Sequence, residues 1–181
     1  MQQRICVCGL KGSGKSSISK ALCNERDGLV HIELSGLIRT KMRNDGIPAE
    51  RIYEYATYLR QRYGPEIISK MALELTVTHT KNVLIDGLRT KEEFALFNSN
   101  NSASIILITS PQETRYSRII NRARPTDPTS LDGLYDMDRK SIEIGMGRVF
   151  SMADYVVTND REFNYAVTQA NAALEQILRR V

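Results

Sequence analysis

The amino-acid sequence predicts an α/β fold in which helices flank both faces of a five-stranded parallel sheet. Three observations predict it. Five short, β-branched, nearly continuous apolar runs recur along the 181 residues, which is how strands buried on both faces read. Apolar residues at helical spacing separate those runs. A glycine-rich stretch, Gly9–Ser17 (GLKGSGKSS), follows the first run directly, where a strand would turn into a helix.

The elements follow in order. Arg4–Cys8 (RICVC) reads as the first strand, and a helical pattern runs from Lys15 to about Asn24. Leu29–Leu34 (LVHIEL) is the second strand. Ile52, Tyr55, Ala56 and Leu59 then fall at helical spacing, as do Ile67, Ile68, Met71, Ala72 and Leu75. Asn82–Ile85 (NVLI), Ser104–Thr109 (SIILIT) and Tyr155–Thr158 (YVVT) are the third, fourth and fifth strands. A last helix places Phe163, Ala166, Val167, Ala170, Leu174, Ile177, Leu178 and Val181 on one stripe. These stripes read as core. Ala123–Asp132 (ARPTDPTSLD), with two prolines and several small polar residues, reads as a loop or mobile flap. No repeat or low-complexity segment interrupts the chain, so residues 1–181 form one domain with a single substantial core.

Composition narrows the function. The net charge of +4 suits an anionic ligand and does not by itself argue for nucleic acid. No apolar run approaches the ~18 residues that span a bilayer. Met1-Gln2-Gln3-Arg4 leads straight into a strand-like run, so no signal peptide is expected. Cys6 and Cys8 alternate on one strand face and cannot close an ordinary disulfide; Cys23 falls on a helix. Buried reduced thiols and a cytoplasmic location are the expectation. His31 and His79 have no partners at metal-ligand or nucleophile spacing.

Gly9 to Ser16 fits G-x-x-x-x-G-K-[ST] at every fixed position. Gly9, Gly12, Ser13 and Gly14 let successive backbone N–H groups turn inward around a phosphate, and the N-terminus of the following helix adds partial positive charge. Lys15 can reach the outer phosphates, the Ser16 hydroxyl can ligate Mg²⁺, and Ser17 completes the cradle. Lys11 lies in the variable part of the motif and reads as a solvated charge. The stretch therefore predicts a P-loop NTPase in a three-layer sandwich, binding a nucleoside triphosphate with Mg²⁺. A switch GTPase needs D-x-x-G and N-K-x-D. Here the third strand ends Asp86-Gly87-Leu88-Arg89, and Asn159-Asp160 lacks the lysine and the spacing.

"VLIDGLRT" resembles the D-G-x-P-R-T element of adenylate kinases and other nucleoside monophosphate kinases. The resemblance implies that Asp86 orients Mg²⁺-bound water beside the P-loop and that Arg89 holds an acceptor phosphate. The plain alternatives are a helix cap at Asp86 and a solvated Arg89. "ELSGLIR" resembles the acceptor element T-G-D-M-L-R, which makes Arg39 a ligand for an acceptor phosphate. Residues 35–80 then correspond to a helical acceptor insert. Within it, Arg60 and Arg62 of "LRQRYGPE" either hold an anionic acceptor or face water.

"TRYSRIINRARPTDP" places Arg118 and Arg122 four apart, like the R-x-x-x-R pair at the start of an adenylate kinase lid. By that resemblance residues 118–148 form a short lid. Arg118 stacks on the donor base, Arg122 meets the transferring phosphoryl, and Arg124, Arg139 and Arg148 are further lid cations, Arg139 among the catalytic set. "ADYVVTND" resembles the A-D-x-V-I-x-N element of dephospho-CoA kinases, which puts Asn159 by the donor base; the bland reading is that Asn159 starts the last helix. "GMGRV" is similar to a G-I-G-E-V element, with Arg148 in place of the acid. Taken over the whole chain, these motifs resemble a poorly characterised archaeal family related to adenylate kinase and dephospho-CoA kinase. The resemblance implies strand order 2-3-1-4-5.

Two functions follow as expectations. The first is a kinase moving the γ-phosphoryl of Mg-ATP to a small nucleotide-like acceptor. The second is a nucleotide-binding sensor with little turnover. A kinase acting on nucleic-acid ends is a third reading, although no aromatic-basic groove is evident. One departure matters. Gly36 stands where the acceptor element carries Asp, and Gly accepts no proton. A phosphate acceptor needs no base, whereas a hydroxyl gains about 10²–10⁴-fold from one. A phosphate acceptor is therefore expected, unless Glu33 reaches the site from the strand edge.

Overall fold

The computed structural model describes residues 2–76, 81–100 and 102–180. Strands β1 (Arg4–Cys8), β2 (Leu29–Glu33), β3 (Asn82–Asp86), β4 (Ala103–Thr109) and β5 (Tyr155–Thr158) form one sheet in the order β2-β3-β1-β4-β5. Every pairing is parallel. The carboxyl ends of all five strands therefore point to one edge, where ligands bind in open α/β sheets. β2 ends one residue earlier than its apolar run. Leu34 belongs to the helix that follows and buries there, because hydrophobicity alone does not mark where a strand becomes a helix.

Helix α1 (Lys15–Asn24) follows β1. Helices α2 (Leu34–Asn44), α3 (Ile52–Tyr63) and α4 (Ile67–Thr76) lie between β2 and β3, with a 3₁₀ turn at Ala49–Arg51. Then come α5 (Lys91–Phe97), α6 (Gln112–Arg122) and α7 (Leu131–Ser141). A π-helical segment, Ile142–Met146, leads to α8 (Gly147–Ser151) and kinks at Gly145 (φ 136°). Helix α9 (Phe163–Leu178) closes the fold.

Alternation along the strands divides the interior in two. Cys6, Cys8, Ile32, Val83, Ile85, Ile105 and Leu107 face α2–α5 and α8. Ile5, Val7, Leu84, Ile106, Ile108 and Val157 face α1 and α9. This makes the three-layer sandwich. The cysteines are free thiols, Cys6 and Cys8 buried and Cys23 half-buried. Two residues leave their expected stripes: Leu75 is exposed because the buried face of α4 runs through Ile68, Ala72 and Thr76, and Phe163 is exposed as the first residue of α9. Val181 and His79 lie outside the described residues. No helix among the described residues is long and apolar enough to cross a membrane.

Candidate functional site

Residues 9–14 turn between β1 and α1, and the glycines there answer two demands. Gly12 (φ 83°) and Gly14 (φ 93°) occupy left-handed backbone. A Cβ on Gly12 would lie 2.8 Å from the Arg115 carbonyl, and one on Gly14 would lie 2.3 Å from Asn159 Nδ2. Gly14 opens α1 with no side-chain cap. The first helical bond of α1 is Ile18 N–H to the Gly14 carbonyl, at 3.0 Å. The amides of Lys15, Ser16 and Ser17 thus precede it and are left to an anion.

Asn159 is buried and donates through Nδ2 to the Ser13 carbonyl (2.8 Å), while Arg118 donates to its Oδ1 (3.2 Å). Arg118 also reaches Ser110 Oγ (3.3 Å). The α9 cap is Glu162, so Asn159 does not start that helix. Asn159 braces the P-loop from behind, Arg118 braces Asn159, and neither lines the main cavity described below.

At the carboxyl edge, Asp86 ends β3 at 1 % exposure, and neither carboxylate oxygen has a hydrogen-bond partner. Its neighbours across the sheet are Val7 and Glu33. Thr90, not Asp86, caps the next helix, with its Oγ1 accepting from Glu93 N–H. Lys15 is within electrostatic reach of Asp86. Burial pushes the Lys15 ammonium below its ordinary value against the pull of Asp86, and Arg89 and Arg122 push the same way. His31 Nε2 stands 4.0 Å from Asp86 Oδ2, too far for a hydrogen bond. Burial holds this imidazole below its ordinary pKa, against Asp86 and Glu33.

Glu33, the last residue of β2, lies close to Gly36. Its Oε1 accepts from Ser35 Oγ and from Arg39 Nη2, each at 2.6 Å. Burial alone would raise this carboxyl. The Ser35 hydrogen bond and the Arg39 charge and hydrogen bond outweigh it and hold Glu33 below the usual carboxylate value. A Cβ on Gly36 would lie 3.9 Å from Glu33 Oε2, so the carboxylate already reaches the region a side chain at 36 would enter.

These groups open into a cavity of about 930 Å³. Its floor is the P-loop with Lys15, Ser16 and Asp86. One wall comes from α2 and α3, with Arg39, Tyr53, Tyr58 and Arg60; Arg89 lies above it, 5.9 Å from the Tyr53 ring centroid. The opposite wall carries Arg122, Arg124, Asp127, Lys140 and Ile144. Arg60 spends its charge on the fully buried Glu93 (2.8 Å), whose other oxygen accepts from Arg89 N–H (2.9 Å). Arg62 is exposed over the Tyr63 ring.

The segment after α6 folds over the P-loop. Asp127 accepts from Arg122 Nε (2.8 Å) and Nη2 (3.0 Å), from Arg124 N–H (3.2 Å), and pairs with Lys11 Nζ (3.0 Å). Lys11 also donates to the Thr126 carbonyl (2.5 Å) and to the Tyr53 hydroxyl (3.2 Å). Lys11 is therefore no solvated charge; it ties the P-loop to the lid segment and to α3. Arg139 does not join them. It is half-exposed, paired with Glu143 and Asp136, and outside the cavity lining. Arg148 is outside it too.

Sequence reasoning missed Arg115. This residue is 5 % exposed and forms a bidentate pair with Asp138 (3.0 and 2.7 Å), while Nη1 donates to the Lys11 carbonyl (3.1 Å). The signal was available: Arg115, Arg118 and Arg122 recur at i, i+3 and i+7, one face of α6. Asp127 was hidden inside an apparent loop.

Together, a parallel sheet in this order, a glycine cradle and a buried carboxylate at its edge define a P-loop protein of the kinase fold. A protein-family profile described as an AAA domain matches residues 5–137. The UPF0200 protein of Sulfurisphaera tokodaii is 31% identical over 174 residues, 96% of this chain and 97% of that one. The chain belongs to the UPF0200 family. Among solved structures, TT1252 from Thermus thermophilus superposes with a TM-score of 0.70 at 17% identity, covering 97% of each chain. The shikimate kinase of Bacteroides thetaiotaomicron gives 0.64 at 19% identity, covering 96% of this chain and 98% of that one.

Proposed function

We infer that this protein is an ATP-dependent phosphotransferase acting on a small nucleotide-like acceptor. One observation carries the reading: Asp86, buried to 1 % exposure with neither oxygen partnered among the described residues, within electrostatic reach of Lys15 and in the same cavity as Ser16. An orphaned buried carboxylate is costly, and a divalent cation offsets that cost. Asp86 and Ser16 fit Mg²⁺, whose chemistry there is to neutralise charge on the donor phosphates. The shared fold with a shikimate kinase is consistent with transfer to a small molecule.

The chain's own groups divide the work. The P-loop amides and Lys15 hold the donor phosphates. Arg122 stabilises charge developing on the transferring group, and the lid excludes water. Arg39 and Arg89 hold an anionic acceptor, with Tyr53 and Tyr58 offering apolar and aromatic surface. Glu33, through Oε2, takes the proton when the acceptor oxygen is a hydroxyl. This removes the objection raised by Gly36 and admits a hydroxyl acceptor beside a phosphate one.

A nucleotide sensor with little turnover is the second reading, favoured by the engagement of Arg122 with Asp127. An ADP-release assay with Mg-ATP over nucleotides and phosphorylated metabolites separates the two. Acceptor-dependent ADP formation is expected. Tight Mg-ATP binding with no acceptor-dependent release would favour the sensor.

A further inference from the structure

We propose that the cleft on the outer face of α2 is a second anion subsite, sharing the Glu33–Arg39 pair with the main cavity, and that the acceptor carries two anionic groups, as a nucleoside bisphosphate does. The inference rests on the kinase reading and extends it to the class of acceptor.

Gly36 is the first observation. It lies within α2, where glycine is destabilising relative to alanine. Nothing local demands it. Its backbone is not among the positive-φ glycines. A Cβ would meet only Glu33, at 3.6 Å and 3.9 Å, which is ordinary contact. Neither strain nor packing explains the residue, so the space it leaves is the remaining reason. Gly36 lines a cleft of about 490 Å³, and Glu33 and Arg39 line both this cleft and the main cavity. The two spaces therefore adjoin along the Glu33–Arg39 pair, and position 36, without a side chain, leaves the cleft side of that pair open.

The chemistry of the cleft is the second observation. Gly36, Arg39, Thr40 and Arg43 recur at i, i+3, i+4 and i+7 on one face of α2, opposite Ile47 and Ala49. Arg39 is already paired with Glu33. Arg43 forms no ion pair among the described residues; its Nη2 donates to Thr40 Oγ1 (3.2 Å). An unneutralised guanidinium beside a hydroxyl matches a phosphate group. The Glu33 carboxylate at the junction repels an anion, so the second charged group lies beyond it, toward Arg43.

The test measures binding with the P-loop already filled. The full-length protein is saturated with Mg²⁺ and a non-hydrolysable ATP analogue. It is then titrated calorimetrically with each of the four nucleoside 5′-monophosphates and with the matching 3′,5′-bisphosphates. At least one bisphosphate should bind roughly tenfold or more tightly than its monophosphate, the scale of one charge-assisted hydrogen bond. Arg43→Ala should remove that advantage, and Gly36→Val should weaken the bisphosphate more than the monophosphate. Gly36→Ala serves if the valine variant fails to fold. Affinity for the ATP analogue should stay unchanged in all three. Equal binding of the paired ligands, no binding of either, or an advantage that survives Arg43→Ala would overturn the subsite. Failure of the ATP analogue itself to bind would instead sink the kinase reading beneath it.

Discussion

Glu33 and Asp86 are register partners on β2 and β3, so two carboxylates stand side by side at the carboxyl edge of the sheet. Their surroundings differ. Asp86 is buried without a hydrogen-bond partner, whereas Glu33 is half-exposed and engaged by Ser35 and Arg39. Two adjacent acids in unlike environments are suited to unlike tasks, one to a metal and one to an acceptor.

Asp86→Asn should preserve the fold, because the amide is isosteric and the carboxylate it replaces has no hydrogen bonds to lose. Mg²⁺-dependent turnover should fall at least about tenfold. Titration of ATP with and without Mg²⁺ checks the cause: the metal should sharpen binding in the wild type and have little effect in the variant. An unchanged metal dependence would remove Asp86 from the site.

Glu33→Gln reports on the acceptor oxygen. With a hydroxyl acceptor, kcat should drop by roughly 10²-fold or more, since a general base is lost. With a phosphate acceptor, the change should stay within a few-fold. Donor affinity should be unaffected in either case.

Asp127→Asn should cost about 2 kcal/mol of stability at neutral pH, the scale of a mostly buried charged hydrogen-bond centre. Burial alone would raise the Asp127 carboxyl. Hydrogen bonds from Arg122 and Lys11, with the Lys11 charge, hold it far below the ordinary range. A lowered native pKa stabilises above the unfolded value and loses that stabilisation as pH falls through the native one. The stability gap between wild type and variant should therefore be level from pH 7 to about 5 and narrow below about pH 4. Urea denaturation at a series of pH values measures it. A gap still fully open near pH 2 would mean the charge is not its source.

Asn159→Ala should remove both the bond to the Ser13 carbonyl and the bond from Arg118. Arg118 keeps its bond to Ser110, so a stability loss of about 1–2 kcal/mol is expected, together with weaker nucleotide binding, because the cradle loses its rear support. Calorimetry and thermal melting should move together. Weaker nucleotide binding at unchanged stability would return Asn159 to a direct ligand role.

Much of this was legible in the sequence, for local reasons. Strands buried on both faces read as continuous apolar runs, and the phosphate cradle is a contiguous string of residues with its chemistry written in order. What failed was long-range. Arg39, Arg60, Arg89 and Arg139 are alike as letters, yet Arg60 is spent on Glu93, which reads as an ordinary acid in a helix. Arg139 does not line the cavity itself but pairs with Glu143, which does, beside Met137, Lys140, Ser141 and Ile144. Asp127 could not be found by spacing, because its partners Lys11 and Arg122 converge only once the segment folds over the sheet.

The bond from Asn159 to Ser13 spans 146 positions of the chain. β1 itself is flanked by β3 and β4, so its neighbours are synthesised long after it. During translation the cradle is made first and finished last: a nascent chain that has not yet emerged to residue 159 carries the glycines without the strut that fixes them.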